Sequence, residues 1–353
     1  MIITESNIKE YLIDNGIVHR EEKIVVTKLS GGNINNLFFV VTSHGKKLVI
    51  KQALPQAQFN ADVILPQDRV ITEYNAMHLW KNLTKLSHIP HLIHCDQKNF
   101  LLVMKAIPSE YKLLTYSLVR GDVNPEIATK LGRLLATFHT TTYKDKHIIK
   151  NFPLSEQFKV LKIGLFHLPL LDSTDNPIIK NNVNMAIARC YQNRTALIHG
   201  DMLPKNILVK DDDFYLLDYE LAHFGDPSHD LGTLLSHYLL FALINYPLKE
   251  KYYHAIKCII NEYKNVISFK EIWNKILANA LGHIAPTFYG RVFGVARVEF
   301  IDNATKEAIK RIITILATRS CSRLDEVFNV IDTEAKLLTR NKPPKIVKGG
   351  VLF

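Results

Sequence analysis

The stretch LIHGDMLPKNILV, residues 197 to 209, sets Asp201 behind a glycine and Asn206 five residues later, between two short apolar runs. Two readings fit it. Aspartate and asparagine are ordinary turn formers, and a strand-loop-strand corner uses both. The same pair also meets the needs of phosphoryl transfer, in which a carboxylate accepts the proton of the attacking hydroxyl and a carboxamide a turn later holds a magnesium ion. The surrounding sequence decides between them.

On the C-terminal side, LLDYE ends an apolar run with Asp218, twelve residues after Asn206. That interval suits a tight β-hairpin that returns Asp218 to the end from which Asn206 starts, so that two hard oxygen atoms face one Mg²⁺. On the N-terminal side, LVIKQA places Lys51 in a strand after three apolar residues. A lysine there points to solvent in ordinary alternation, or it reaches α- and β-phosphates when a carboxylate holds it. Glu73 on the following helix is the candidate partner. Earlier still, SGGNINNLFFV, residues 30 to 40, is a Gly-rich turn between strands. Such a turn lets backbone N–H groups approach phosphate oxygens, and without a ligand it is a plain hairpin connection.

The wider pattern has a sheet first and helices after it. KIVVTKL, LFFVVTS and KLVIKQA are rich in β-branched and aromatic residues and are joined by turn formers, which predicts an antiparallel meander. A helix is expected over 68–83, then two strands in HLIHCD and NFLLVMKAI that end near Pro108. Beyond it, helices are expected over 125–142, 177–192, 228–245, 250–265, 270–283, 303–318 and 323–339. The β-like pair ALIHGD and NILVKDDDFYLLDYE interrupts them. The expected class is α+β in two lobes, 1–108 and 109–340, with 341–353 as a loosely held tail. A short amphipathic helix with Ile8, Tyr11 and Leu12 on one face and Gly16 as its stop opens the chain in place of a signal peptide.

Bulk properties narrow the function classes. A chain of 353 residues exceeds a single core, and 47% hydrophobic with 22% charged residues is ordinary globular composition. The net charge of +10 comes without a block of like charges or an aromatic-basic ladder, so a nucleotide is the only polyanion required. No nucleic-acid or membrane partner is expected. Four cysteines far apart, Cys95, Cys190, Cys258 and Cys321, support neither a zinc site nor a disulfide framework. The uncharged stretch 231–248 carries Ser236, His237, Asn245 and Pro247 and reads as a buried helix. A cytoplasmic location is the expectation.

With HGDMLPKNILV, LLDYELAHFGDPSHDLG, the GGNINN turn and VIKQALP together, the chain resembles the aminoglycoside phosphotransferase and choline kinase family of small-molecule kinases. KQALP and GRVFGVARVEFID are similar to the methylthioribose kinase branch in particular, whereas LLDYELAHFGDPSHD is closer to the general phosphotransferase pattern. The resemblance implies a bilobal protein-kinase-like fold that uses ATP and Mg²⁺. It implies Asp201 as catalytic base, Asn206 and Asp218 as magnesium ligands, and Lys51 as the phosphate lysine with Glu73 as its partner. It makes Val103, Met104, Lys105, Ala106 and Ile107 the hinge that reads adenine, and Gly31, Gly32 and Asn35 part of the loop over the phosphates. His199 is expected to brace the loop, Asp230 to accept its N–H groups, and Lys205 either to touch the γ-phosphate or to be exposed.

The implied reaction moves a γ-phosphoryl to a hydroxyl of a sugar-like or other small metabolite. An aminoglycoside acceptor and a catalytically inactive nucleotide-binding module are the alternatives. The second expects loss of at least one of Lys51, Asp201, Asn206 and Asp218, and all four are present. The segment YGRVFGVARVEF, with Arg291 and Arg297 against Glu299, favours a neutral or anionic acceptor over a polycation.

Overall fold

A computed structural model describes residues 1–29, 34–58, 63–295, 297–298, 301–319 and 321–339. The described residues divide into two compact units, Met1–Tyr111 with Tyr215–Leu221, and Lys112–Phe214 with the described residues of 222–339.

The first unit is built on β1 (Ile24–Lys28), β2 (Asn35–Thr42), β3 (Lys47–Ala53), β4 (Leu92–Asp96) and β5 (Leu101–Lys105), antiparallel in the order β1-β2-β3-β5-β4. Strand alternation gives this sheet two different faces. Phe38, Val40, Leu48, Ile50, Leu101 and Val103 form one core with Ile8, Tyr11 and Leu12 of α1 (Ile8–Asp14). Ala53 and Leu102 pack on the other face with Val70 of α2 (Arg69–Thr84). Because Ile50 faces α1, its neighbour Lys51 must face α2. Val70, Glu73, Ala76, Met77 and Trp80 form the buried stripe of α2 at helical spacing, so the one acid in that stripe meets Lys51, the buried lysine of β3. The helix stops at Lys85, in the left-handed region at φ 57°.

In the second unit, β6 (Lys112–Leu113) leads into α3 (Leu114–Arg120) and α4 (Pro125–Thr141). Asn124 caps α4 by accepting from the N–H groups of Glu126 and Ile127, with Pro125 at the first helical position. Then come α5 (Lys146–Asn151) and α6 (Glu156–Phe158), which continues as a π-helix over Lys159–His167 into α7 (Leu168–Asp172), followed by α8 (Pro177–Gln192). The strand β7 (Ala196–Ile198) precedes a hairpin of β8 (Ile207–Lys210) and β9 (Asp213–Leu216), and β10 (His223–Gly225) pairs back on β7.

The rest is helical: α9 (Pro227–Ile244), α10 (Lys249–Val266), α11 (Trp273–Leu281), α12 (Ile284–Val292), α13 (Asn303–Arg319) and α14 (Leu324–Thr339). Most of the uncharged stretch falls in α9, which is buried from Pro227 to Leu243, while its end forms a separate 3₁₀ turn, Tyr246–Leu248, with Leu248 exposed. No single helix among the described residues is long and apolar enough to cross a membrane.

Two expectations change. The helix expected over 270–283 is a 3₁₀ turn, Lys270–Ile272, followed by α11, and α12 begins after Gly282 and His283. The helical stretch from Glu156 to Asp172 was not expected, because Gly164 and Pro169 interrupt its apolar period. The expected tail, 341–353, lies outside the described residues.

Candidate active site

In the first unit, the Lys51 ammonium lies 2.7 Å from Glu73 Oε2, 2.5 Å from Asp218 Oδ1 and 3.6 Å from Glu220 Oε2. Arg69, fully buried at the start of α2, adds a second cation. Its Nε is 3.4 Å from Glu220 Oε2, and its Nη2 donates to Asn35 Oδ1 at 3.2 Å and to the Leu54 carbonyl at 2.8 Å. Asn35 donates in turn to Glu220 at 3.0 Å, and the Tyr219 N–H donates to Glu73 Oε1 at 3.3 Å. Burial disfavours the Lys51 ammonium, but Asp218, Glu220 and Glu73 outweigh it and hold its pKa well above the ordinary lysine value. Burial raises Glu73 and Glu220, against the pull of Lys51.

Three features of this geometry bear on the expected site residues. Glu220, which the sequence reading does not single out, joins Asp218 and Glu73 around Lys51. Strand alternation in LLDYE does not mark it, because Asp218 at φ 67° breaks the extended backbone there. Asn35 engages Glu220 and Arg69 inside the unit, while its expected companions Gly31 and Gly32 lie outside the described residues. The five residues expected as the hinge begin in the sheet. Val103, Met104 and Lys105 belong to β5, the Lys105 N–H donates to the His91 carbonyl, and the Ala106 N–H donates to the Lys47 carbonyl, both at 2.9 Å. Ile107 carries the first backbone N–H beyond these sheet bonds, and Pro108 has none.

The carboxylates suit a divalent cation. Their oxygens are hard donors, and those of Glu73, Asp218 and Glu220 lie within 4.8 Å of one another. The Lys51 ammonium already sits among them, so the acid with an outward side is Asp218, whose side chain is 27% exposed against 2% and 3% for the glutamates. Asp218 holds φ 67°, the left-handed region that a non-glycine residue adopts only when its surroundings dictate it.

In the second unit, Gly200 takes φ 78° and turns the chain so that Asp201 follows β7 on a tight loop. Asp230, in the first turn of α9, fixes that loop by accepting the N–H groups of His199 at 2.7 Å and Gly200 at 2.8 Å. His139 Nε2 lies 3.2 Å from Asp230, and the Tyr263 hydroxyl is 2.7 Å from His139 Nδ1. His199 Nδ1 accepts the Asp201 N–H at 3.2 Å.

The Asp201 carboxylate is buried and held at both oxygens. Asn206 Nδ2 donates to Oδ2 at 2.9 Å and to the Asp201 carbonyl at 3.0 Å, leaving the carboxamide oxygen as the atom of Asn206 that suits a cation. The Lys162 ammonium donates to Oδ1. Burial alone would raise the Asp201 pKa, but Lys162 and Lys205 outweigh it and hold the carboxyl well below the usual range. Lys205 is half-buried and acts on Asp201 by its charge. Arg291 is buried on α12, where its Nε donates to His237 Nε2 at 3.0 Å, whereas Arg297 is exposed and Glu299 lies outside the described residues. A small cavity in this unit is lined by Lys162, Phe166, Leu203, Thr233, His283 and Thr287, among others. Sequence reasoning missed Lys162, since nothing in KVLKIGLFH marks its second lysine.

Comparison with known proteins assigns the chain to a family. The model of the phosphotransferase enzyme family matches residues 25–243. The methylthioribose kinase of Bacillus velezensis is 24% identical over 270 residues, 68% of this chain and 67% of that protein. The methylthioribose kinase of Exiguobacterium sibiricum is 23% identical over 365 aligned positions, covering 90% and 91%. Among solved structures, the ethanolamine kinase of Plasmodium vivax superposes with a TM-score of 0.53 at 14% identity, covering 96% of this chain and 89% of that one. The likeness in structure is one of fold, the protein-kinase-like α+β architecture, and with a family match over well more than half its length the chain belongs to the phosphotransferase enzyme family.

Proposed function

We propose that this phosphotransferase carries the γ-phosphoryl group of ATP to a hydroxyl of a small, neutral, sugar-like metabolite. The observation that carries the reading is Asp201: a buried, ionised carboxylate gripped at both oxygens on a loop that Asp230 anchors. Lys51, held by Glu73, takes the α- and β-phosphates, and the Ile107 N–H reads adenine. Asp218 and the carboxamide oxygen of Asn206 are the groups that would hold a magnesium ion, whose charge would offset that of the phosphates.

Asp201 receives the acceptor's hydroxyl proton as the acceptor oxygen bonds to the γ-phosphorus and the bond from that phosphorus to the ADP oxygen breaks. A carboxylate so weakly basic orients the hydroxyl first and takes the proton late, once the forming bond has made it acidic. That order suits a loose transition state, in which positioning and charge supply most of the catalysis.

The acceptor's charge follows from the surroundings of Asp201, where Lys162, Lys205 and Arg291 all bring positive charge to one carboxylate. A polycation is disfavoured there, and a neutral polyol is not. The named activity of the Bacillus and Exiguobacterium relatives makes methylthioribose the first acceptor to try. A coupled ADP-release assay should give a higher kcat/KM for methylthioribose or ribose than for kanamycin. Efficient turnover of kanamycin with the sugars inert would overturn the acceptor class.

A further inference from the structure

Lys162 has no part in the reaction as written above, yet the fold takes trouble to bury it. It sits in the middle of the nine-residue π-helix Lys159–His167, its side chain 9% exposed and its ammonium on Asp201 Oδ1. Burying an ammonium is costly unless a partner holds it, and a lysine turned to solvent would spare the fold that cost. Helical turns of this kind are rare and concentrate at functional sites.

Two further contacts fix the helix at that point. His167 Nδ1 lies 3.3 Å from the Lys162 carbonyl oxygen, and His167 Nε2 lies 3.2 Å from His283 Nδ1. With Nδ1 donating to the carbonyl, Nε2 accepts from His283, so two neutral imidazoles tie the Lys162 backbone to the residue preceding α12. Burial pushes His167 down to about 4 and His283 further below its ordinary value, which keeps both neutral. Gly290 then lets α12 lie against the π-helix, since a Cβ there would press on the Phe166 ring and come within 2.9 Å of the Leu165 carbonyl.

We propose that Lys162 is a positioning residue for phosphoryl transfer, holding Oδ1 of Asp201 so that the carboxylate plane is fixed toward the acceptor hydroxyl. Asn206 alone grips Oδ2 and leaves the carboxylate free to swing about that contact. The second grip, on the other oxygen, removes the swing. The inference rests on the assignment of Asp201 to the acceptor.

The test measures ADP release with methylthioribose, and separately with water as the only acceptor. Wild type is compared with Lys162→Met, Lys162→Arg, Asp201→Asn and the double variant Asp201→Asn with Lys162→Met. Lys162→Met should lose about 10²-fold in kcat, the lower end for a group acting on the proton-transfer apparatus, with KM for ATP nearly unchanged. Lys162→Arg should recover part of the loss. Because Lys162 acts through Asp201, the double variant should be no slower than Asp201→Asn alone.

A packing role would instead multiply the two losses and gain nothing from arginine, and that result would overturn the inference. So would an inactive Asp201→Asn beside a Lys162→Met variant of wild-type rate, which leaves the proposed reaction standing. Full turnover by Asp201→Asn would overturn both. Where Lys162→Met does not fold, Lys162→Gln takes its place in every comparison.

Discussion

A carboxylate whose two oxygens are both engaged still has lone pairs to offer, and which ones it offers is set by its partners. In Asp201 they are Asn206 on one oxygen and Lys162 on the other. Asp201→Asn keeps the shape and removes both the charge and the proton acceptor. It should cost about 10²- to 10⁴-fold in kcat while the Kd for ATP, measured by calorimetry, stays within a few-fold. Retained turnover would remove Asp201 from the reaction. The spacing of Asp201 and Asn206 was legible because the two occur five apart between apolar runs, and Lys51 because it breaks a run of apolar strand residues. Lys162 was not legible, since a lysine every three residues on a helix is the commonest surface pattern, and only the folded chain shows that this one faces inward. The partnership of Lys51 with Glu73 was open to reasoning because strand alternation and helix periodicity each limit a side chain to one face.

At the scale of elements, the loop that carries Asp201 is fixed by a helix thirty residues further on. Asp230 is fully buried in the first turn of α9, and its two oxygens take the N–H groups of His199 and Gly200. Burial alone would raise its pKa, but His139 and His229 beside it outweigh that and hold the carboxyl well below the usual range. A depressed folded value means that Asp230 contributes its full stability above the unfolded value of about 3.9, and loses it as pH falls below that. Asp230→Asn should therefore be destabilised by about 3 kcal/mol at pH 7. In urea titrations the gap to wild type should narrow by about 1 kcal/mol at pH 3, and a gap that widens instead would mean that the charge is not what stabilises the loop. Elements with a clear period, such as α8 and α10, were readable in outline. The π-helical stretch was not, because packing against α12 carries it in spite of Gly164 and Pro169.

On the scale of the whole molecule, chain order conceals one feature. Residues 215–221 lie within the range read from sequence as the second lobe, 109–340, yet they fold with the first unit and bring Asp218, Tyr219 and Glu220 to Lys51 and Glu73. Composition shifts along a chain mark where a segment lies in sequence, and a seven-residue return leaves no such shift. On the proposed reading, nucleotide binding and stability are coupled through Asp218. A ligand that binds only the folded chain stabilises it by about 2.7 kcal/mol at a hundredfold excess over Kd. ATP with Mg²⁺ should thus raise the thermal midpoint by a few degrees, and ATP with EDTA by less. Asp218→Ala removes the outward-facing acid of the carboxylate set and should abolish the difference between the two conditions. Asp201→Asn should keep that difference, because the proposed reaction gives its charge to the acceptor and not to the nucleotide. If Asp218→Ala still gained stability from Mg²⁺ as the wild type does, the metal would be held by other groups, and the acids that remain around Lys51, Glu73 and Glu220, would be the next to vary.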